Sequence, residues 1–251
     1  MRVRVALFAT CLADQLFPGV AVASVRLLRH LGVEVAFPEA QTCCGQPAYN
    51  AGYHREAREI AEHHLSVFDG FDCVVLPSGS CGAMIASHYP ELFTEDSRNY
   101  ARARELAGRT FELTTFITER LSVTDVGASL SGLAVTYHDS CHALRWLGVG
   151  KAPRQLLASA GAKLVEADGH DACCGFGGLF SVKMPHVSSA MARAKHQGIS
   201  EAGAEVLTST DGGCLMQLAG TLRRDGLRIR VCHIAELLWE GVERRLKAEA
   251  A

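Results

Sequence analysis

Asp171-Ala172-Cys173-Cys174-Gly175-Phe176-Gly177-Gly178 sets two adjacent cysteines against a glycine-rich turn, and the chain does this twice. The other copy is Thr42-Cys43-Cys44-Gly45-Gln46-Pro47, 130 positions earlier, and a lone upstream cysteine repeats at the same offset, Cys11 against Cys141. Each half therefore runs Cys, 31 intervening residues, Cys-Cys-Gly. A third piece follows in each half, Ser78-Gly79-Ser80-Cys81 and Asp211-Gly212-Gly213-Cys214, offset by 133. Cysteines recurring in one order mark a tandem duplication, and the duplicated object is a four-thiol site.

Around these motifs the apolar pattern alternates between strand and helix. In the first half the expected strands are Val3–Ala9, Val33–Phe37 and Cys73–Leu76. Between them run a helix with Pro18 in its first turn and a helix from His54 to about Phe68. The second half repeats the plan with strands Leu133–Tyr137, Lys163–Ala167, Glu205–Thr208 and Arg228–His233. Its helices start near Pro153, Pro185 and Ile234. An extra charged stretch, about Thr94–Glu105, reads as an outer helix of the first half. Short strands alternating with helices imply an α/β fold made of two tandem, pseudo-symmetric βαβ-type halves with mainly parallel sheets. The Ser-, Gly- and Asp-rich Ser122–Gly132 region marks the join, giving residues 1–125 and 126–251 as the two repeats. Each repeated cysteine follows the carboxyl end of a strand, where open α/β sheets assemble their sites. Cys11, Cys43, Cys44 and Cys81 are thus expected at one site, and Cys141, Cys173, Cys174 and Cys214 at another.

Composition narrows the classes. Of 251 residues, 48% are hydrophobic and 21% charged, the balance of a globular chain with a substantial core. A net charge of −2 gives no electrostatic case for nucleic acid or an anionic membrane. Met1–Ala9 superficially resembles an export signal, but its apolar run is short and alternates as a strand does. The longest uncharged run, Cys73–Pro90, is broken by Pro77, Gly79, Gly82 and His88 and is no membrane span. A cytoplasmic protein is expected, with its ten cysteines in a reducing compartment where clustered thiols serve metals rather than disulfides.

Four thiolates suit zinc or an iron–sulfur cluster. Adjacent cysteines reach one ion only with difficulty but can reach different irons of one cluster, which favours iron–sulfur while leaving zinc open. Gly45, Gly175, Gly177 and Gly178 would offer close backbone and amide donors, and Phe176 and Phe180 would exclude water. Cys73 and Cys232 lie outside the repeat and read as small buried apolar residues. Gly175–Gly178 lacks the spacing of a nucleotide-binding loop. His138 and His142 flank Cys141 and are either ligands, proton donors or simply hydrogen-bonded histidines. No Ser-His-Asp or paired-carboxylate arrangement stands out.

The repeat resembles the cysteine-rich CCG domain found in heterodisulfide reductase, in the iron–sulfur protein of glycolate oxidase and in the lactate utilization A proteins. Phe37-Pro38-Glu39, Asn50-Ala51-Gly52-Tyr53, Phe180-Ser181-Val182-Lys183-Met184 and His233-Ile234-Ala235-Glu236 carry the likeness to the last group along nearly the whole chain. The resemblance implies an iron–sulfur electron-transfer subunit of an L-lactate-oxidising assembly. Its partners would be two other lactate utilization subunits, one with ferredoxin-like clusters. The wider family ends its motif in Cys-x-x-Cys, whereas this chain has Ser78 and Asp211 at the first of those positions. That departure turns the expectation from a five-thiolate cluster and disulfide reduction toward [4Fe-4S] clusters, with Ser or Asp oxygen as a conceivable extra ligand. A zinc-bearing scaffold, or a thiol/disulfide oxidoreductase of the heterodisulfide reductase B type, is the alternative. The second site, with Asp211, His138 and His142 around its thiols, is where zinc or the chemistry nearest substrate is expected.

Overall fold

The structure is a computed structural model and describes residues 3–250. Val5, Ala6 and Leu7 are apolar on both sides of the backbone, which suits a strand covered on both faces, and Arg4–Leu7 is indeed the buried first strand, β1. A short helix, α1 (Cys11–Gln15), leads into α2 (Pro18–His30), whose Pro18 supplies a preset φ in the first turn. Then come β2 (Glu34–Ala36), α3 (Gln46–Asn50), α4 (His54–Val67), β3 (Cys73–Leu76) and α5 (Gly79–Ala83). An outer helix α6 (Arg98–Gly108) and β4 (Thr110–Glu112) complete the first sheet.

The second half follows suit with β5 (Ala134–Tyr137), α7 (Cys141–Leu147), α8 (Lys151–Ser159) and β6 (Lys163–Leu164). Next are α9 (Leu179–Lys183), α10 (Pro185–Arg193), α11 (His196–Glu201) and β7 (Val206–Ser209). The chain ends with α12 (Gly212–Arg224), β8 (Arg230–His233) and α13 (Ile234–Glu249). The strand order is β2-β1-β3-β4 in one sheet and β6-β5-β7-β8 in the other, with all pairs parallel. This confirms the α/β fold of two tandem parallel-sheet halves.

The strand order places the site. Connections leaving β1 and β3 run to opposite sides, which opens a crevice beyond their carboxyl ends, and β5 and β7 do the same. Cys11 and Cys81 lie in the first crevice, and Cys141 and Cys214 in the second. One core cluster is shared between the halves, including Leu27, Val75 and Phe116 from the first and Val135, Leu157 and Leu238 from the second. The outer face of each sheet has its own cluster, around Phe68 and Leu106 in the first half and around Ile199 and Leu218 in the second.

Two elements differ from expectation. β4 is a strand of three residues, Thr-Phe-Glu, too short to carry a pattern; its Glu112 is buried because it caps the following helical turn through Thr114 N and Thr115 N. The single helix expected to start near Pro185 is two helices, broken at Ala194-Lys195 where the Lys195 side chain turns inward. Among the described residues no helix is long and apolar enough to cross a membrane.

Candidate metal centre

Each half brings its four thiols together by the same devices. Cys11 opens α1, whose N-cap Thr10 accepts from Ala13 N; Cys141 opens α7 at the matching position. Cys81 lies in the first turn of α5 and Cys214 in the first turn of α12, so four of the thiols ride on helix N-termini, where backbone amides favour anionic sulfur. The Cys-Cys pairs arrive from loops after β2 and β6. In both, the following glycine is left-handed, with φ of 84° at Gly45 and 82° at Gly175, a backbone that a side-chain-bearing residue resists. A Cβ on Gly175 would also fall 2.5 Å from Ser188 O.

In the first half Cys11 Sγ lies 3.8 Å from Cys43 Sγ, and Cys44 Sγ 3.2 Å from Cys81 Sγ. The Cys11 thiol donates to Cys43 and, with the Cys44 thiol beside it, drives Cys43 down toward thiolate; Cys11 and Cys44 are pushed up as the protonated partners, Cys44 donating to Cys81. The second half repeats this: Cys173 is pulled down by Cys141 and Cys174, while Cys141 and Cys174 are pushed up. Thiols so close compete for protons, and the competition disappears if a cation takes the protons' place.

All eight repeated cysteines line a single cavity of about 430 Å³ between the halves. The repeat alone implies two similar sites; that they face one another is a matter of docking. Gly79 makes this docking possible, because a Cβ there would overlap that of Ala143 on α7. Gly79 N donates to Thr210 O at 3.3 Å across the same seam. Phe176 lines the cavity and its ring covers Gly213, whereas Phe180 is not among the lining residues and packs on Gly177 instead.

The two residues standing where a further cysteine was considered have other duties. Ser78 caps α5, accepting from Cys81 N at 3.3 Å. Asp211 caps α12 through Gly213 N at 3.1 Å, and its other oxygen accepts from Ser80 N of the first half at 2.8 Å. Ser78 Oγ also reaches that oxygen, at 3.5 Å. One carboxylate oxygen thus caps the helix of its own half while the other holds the halves together.

The histidines differ from one another. His142 lines the cavity, with Nδ1 3.5 Å from Cys141 Sγ, and burial lowers its pKa. His233 caps α13, accepting from Ala235 N, and is held neutral by burial at about 4. His170 pairs with Asp139 at 2.7 Å. His138 is 1% exposed, and one of its ring nitrogens with Cys174 and Cys214 Sγ forms a trio whose ligand atoms all lie within 4.8 Å of one another.

Each Cys-Cys loop is clamped by a buried side chain that sequence reasoning did not single out. In the first half Tyr89 OH donates to Cys44 O at 2.9 Å and accepts from His64 Nδ1 at 2.8 Å, leaving His64 Nε2 to accept from Thr42 N at 3.3 Å. Burial lowers His64 to about 4, so this clamp is neutral. In the second half Lys195, 3% exposed, donates to Gly169 O and to Ala172 O at 3.0 Å. Thr42 and Ala172 are the residues just before the paired cysteines, so the clamps are counterparts of different charge.

This chain matches the cysteine-rich CCG domain family over residues 5–86 and again over 135–219. It is 52% identical to lactate utilization protein A of Exiguobacterium sp. over 95% of this chain and 98% of that one. With lactate utilization protein A of Geobacillus sp. it shares 50% identity over 94% and 98%. Among solved structures, glutamate racemase RacE1 from Bacillus anthracis aligns over 99% of this chain and 82% of its own at 10% identity, with a TM-score of 0.38, too slight a likeness to bear on function. With both halves matched and half of all positions shared along nearly its full length, the chain belongs to the cysteine-rich CCG domain family, in its lactate utilization protein A branch.

Proposed function

We propose that this chain is an iron–sulfur electron-transfer subunit of a lactate-oxidising assembly and acts with other lactate utilization subunits in the cytoplasm. The observation that carries the reading is the convergence of both cysteine quartets on one cavity. The relatives' name, lactate utilization protein A, supports lactate as the substrate of that assembly. The donor set fits such a cofactor: thiols already pressed close enough to compete for protons, helix N-termini behind four of them, and an unpartnered buried imidazole nitrogen. Cys11, Cys43, Cys44 and Cys81 would hold one group and Cys141, Cys173, Cys174 and Cys214 the other, within repeats spanning about 1–125 and 126–251. When bound, [4Fe-4S] clusters supply one-electron transfer, which suits a subunit relaying the two electrons that lactate releases on becoming pyruvate.

The chain's own residues provide the setting. Phe176 and the apolar lining keep water from the thiols, and the clamps of Tyr89–His64 and Lys195 fix the Cys-Cys loops. His142, half-buried and facing the cavity, is placed to hold a proton at Nδ1 beside Cys141. Anaerobic purification followed by iron, sulfide and zinc analysis tests the reading. Iron and acid-labile sulfide with a broad visible absorbance are expected. A colourless protein carrying only zinc would replace it with the scaffold reading, which the His138–Cys174–Cys214 trio favours for the second half.

A further inference from the structure

We infer that His138 Nε2 is a metal ligand, so that the second-half site takes a mixed imidazole–thiolate donor set while the first takes thiolate alone. The inference rests on reading the thiols as metal sites and goes further by distinguishing the two. His138 Nδ1 donates to His170 O at 3.0 Å, which puts the ring's proton on that side and leaves the lone pair on Nε2. Nε2 is buried and has no hydrogen-bond partner among the described residues. Abandoning a buried polar atom costs about 1–3 kcal/mol, so an orphan in a well-packed site calls for a missing partner. The partner is a cation: one ring nitrogen of His138 and the Cys174 and Cys214 sulfurs lie within 4.8 Å of one another, and a neutral imidazole whose far nitrogen donates to a carbonyl is the form in which histidine binds metals.

The support behind the ring is built in layers. Asp139 N donates to the same His170 carbonyl at 3.1 Å, and the His170 ring meets Asp139 Oδ2 at 2.7 Å. Arg154 grips both oxygens of the buried Asp139, at 2.9 and 2.7 Å. The carbonyl that orients His138 is thus held beside a half-buried ion pair. At the equivalent place in the first half, 130 positions earlier, stands Phe8, whose ring packs edge-on to His64 and against Phe68 and offers a metal nothing.

The experiment compares wild type, His138→Phe (which copies the first half) and His138→Cys, purified without oxygen with natural and 15N-labelled histidine. In pulsed EPR of the reduced protein, wild type is expected to show a nitrogen coupling that changes on labelling. Both variants should lose it, and His138→Cys should keep its iron. An iron-loaded wild type without nitrogen coupling, or a coupling that persists in His138→Phe, overturns the inference. If anaerobic analysis finds no iron, the cluster reading fails by itself, and cobalt(II) added to the metal-free chain decides about His138. A drop of at least about tenfold in cobalt affinity in His138→Phe, with thiolate-to-cobalt absorbance kept in His138→Cys, sustains it; unchanged affinity in His138→Phe refutes it.

Discussion

The two halves hold the same four thiols on the same strand-end loops but surround them differently. In the first half Phe8, Leu12 and the neutral His64 stand where the second half has His138, His142 and the buried amine of Lys195. Duplication kept whatever makes a thiol site: helix N-termini under four cysteines and a left-handed glycine after each pair. It left free whatever sets the electrostatic field around that site. Two equal thiol quartets in one cavity are useful for moving charge only if they differ in energy, and the surroundings are where a difference can arise.

The largest effect that can break this comparison comes from removing one thiol on each side. Cys44→Ser and Cys174→Ser, purified without oxygen, are each expected to lose the iron of their own half and keep the other's, with different residual spectra. If either substitution strips both halves, the cavity holds one shared metal assembly and the halves have no separate identities. If the residual spectra coincide, the surroundings do not matter.

Much of this arrangement was legible from spacing. Paired cysteines before glycine, repeated at fixed offsets, gave away the duplication, the strand-end loops and the grouping into quartets. The docking was not legible, because a repeat says that two units are alike and nothing about which faces meet. The close approach of Gly79 to Ala143, the Asp211–Ser80 bond and the core shared between the halves reveal that. β4 escaped because three residues cannot show a period, and its buried glutamate looks like a turn residue. His138 was visible as a neighbour of Cys141, but its tautomer depends on a carbonyl 32 residues away. Lys195 reads like any polar residue of an amphipathic helix until the chain breaks there and buries it.

The seam itself is unequal. Gly79 and Gly212 occupy matching positions, yet a Cβ on Gly79 would overlap Ala143 whereas one on Gly212 would meet only the Phe17 ring at 3.6 Å. Gly79→Ala should therefore cost about 3 kcal/mol in denaturant unfolding, and Gly212→Ala should be near neutral. Ala143→Gly added to Gly79→Ala should recover much of the loss. No recovery in the double variant would mean that backbone freedom, and not the contact between halves, is what Gly79 provides.

The clamps give a smaller contrast. Lys195→Met leaves Gly169 O and Ala172 O without their donor and is expected to destabilise the metal-free chain by about 2 kcal/mol. It should also weaken metal retention in the second half while leaving the first unchanged, because it removes a buried amine that interacts with Cys174. Equal metal loss from both halves would show that Lys195 supports the whole fold and is no counterpart of His64.

The smallest effect comes from the last strand of each sheet, which ends in a buried titratable helix cap. Glu112 closes β4 and His233 closes β8, and burial shifts them in opposite senses. Burial pushes Glu112 from 4.5 up to about 7, and its Oε1 has no partner among the described residues, as suits a protonated carboxyl. The fold then holds a proton that the unfolded chain gives up above pH 4.5, so Glu112's contribution is complete below that pH and is lost as pH rises through 7. Burial lowers His233 from 6.5 to about 4, so its contribution is complete above 6.5 and is lost as pH falls through 4. Between these limits the two slopes oppose each other. Glu112→Gln keeps an oxygen to accept from Thr114 N and Thr115 N but cannot titrate. Its stability relative to wild type should climb by about 1 kcal/mol per pH unit from pH 4.5 to 7, read by urea unfolding at each pH. Parallel curves for the two proteins would place the ionised carboxylate in the fold and leave His233 as the one cap whose charge state burial decides.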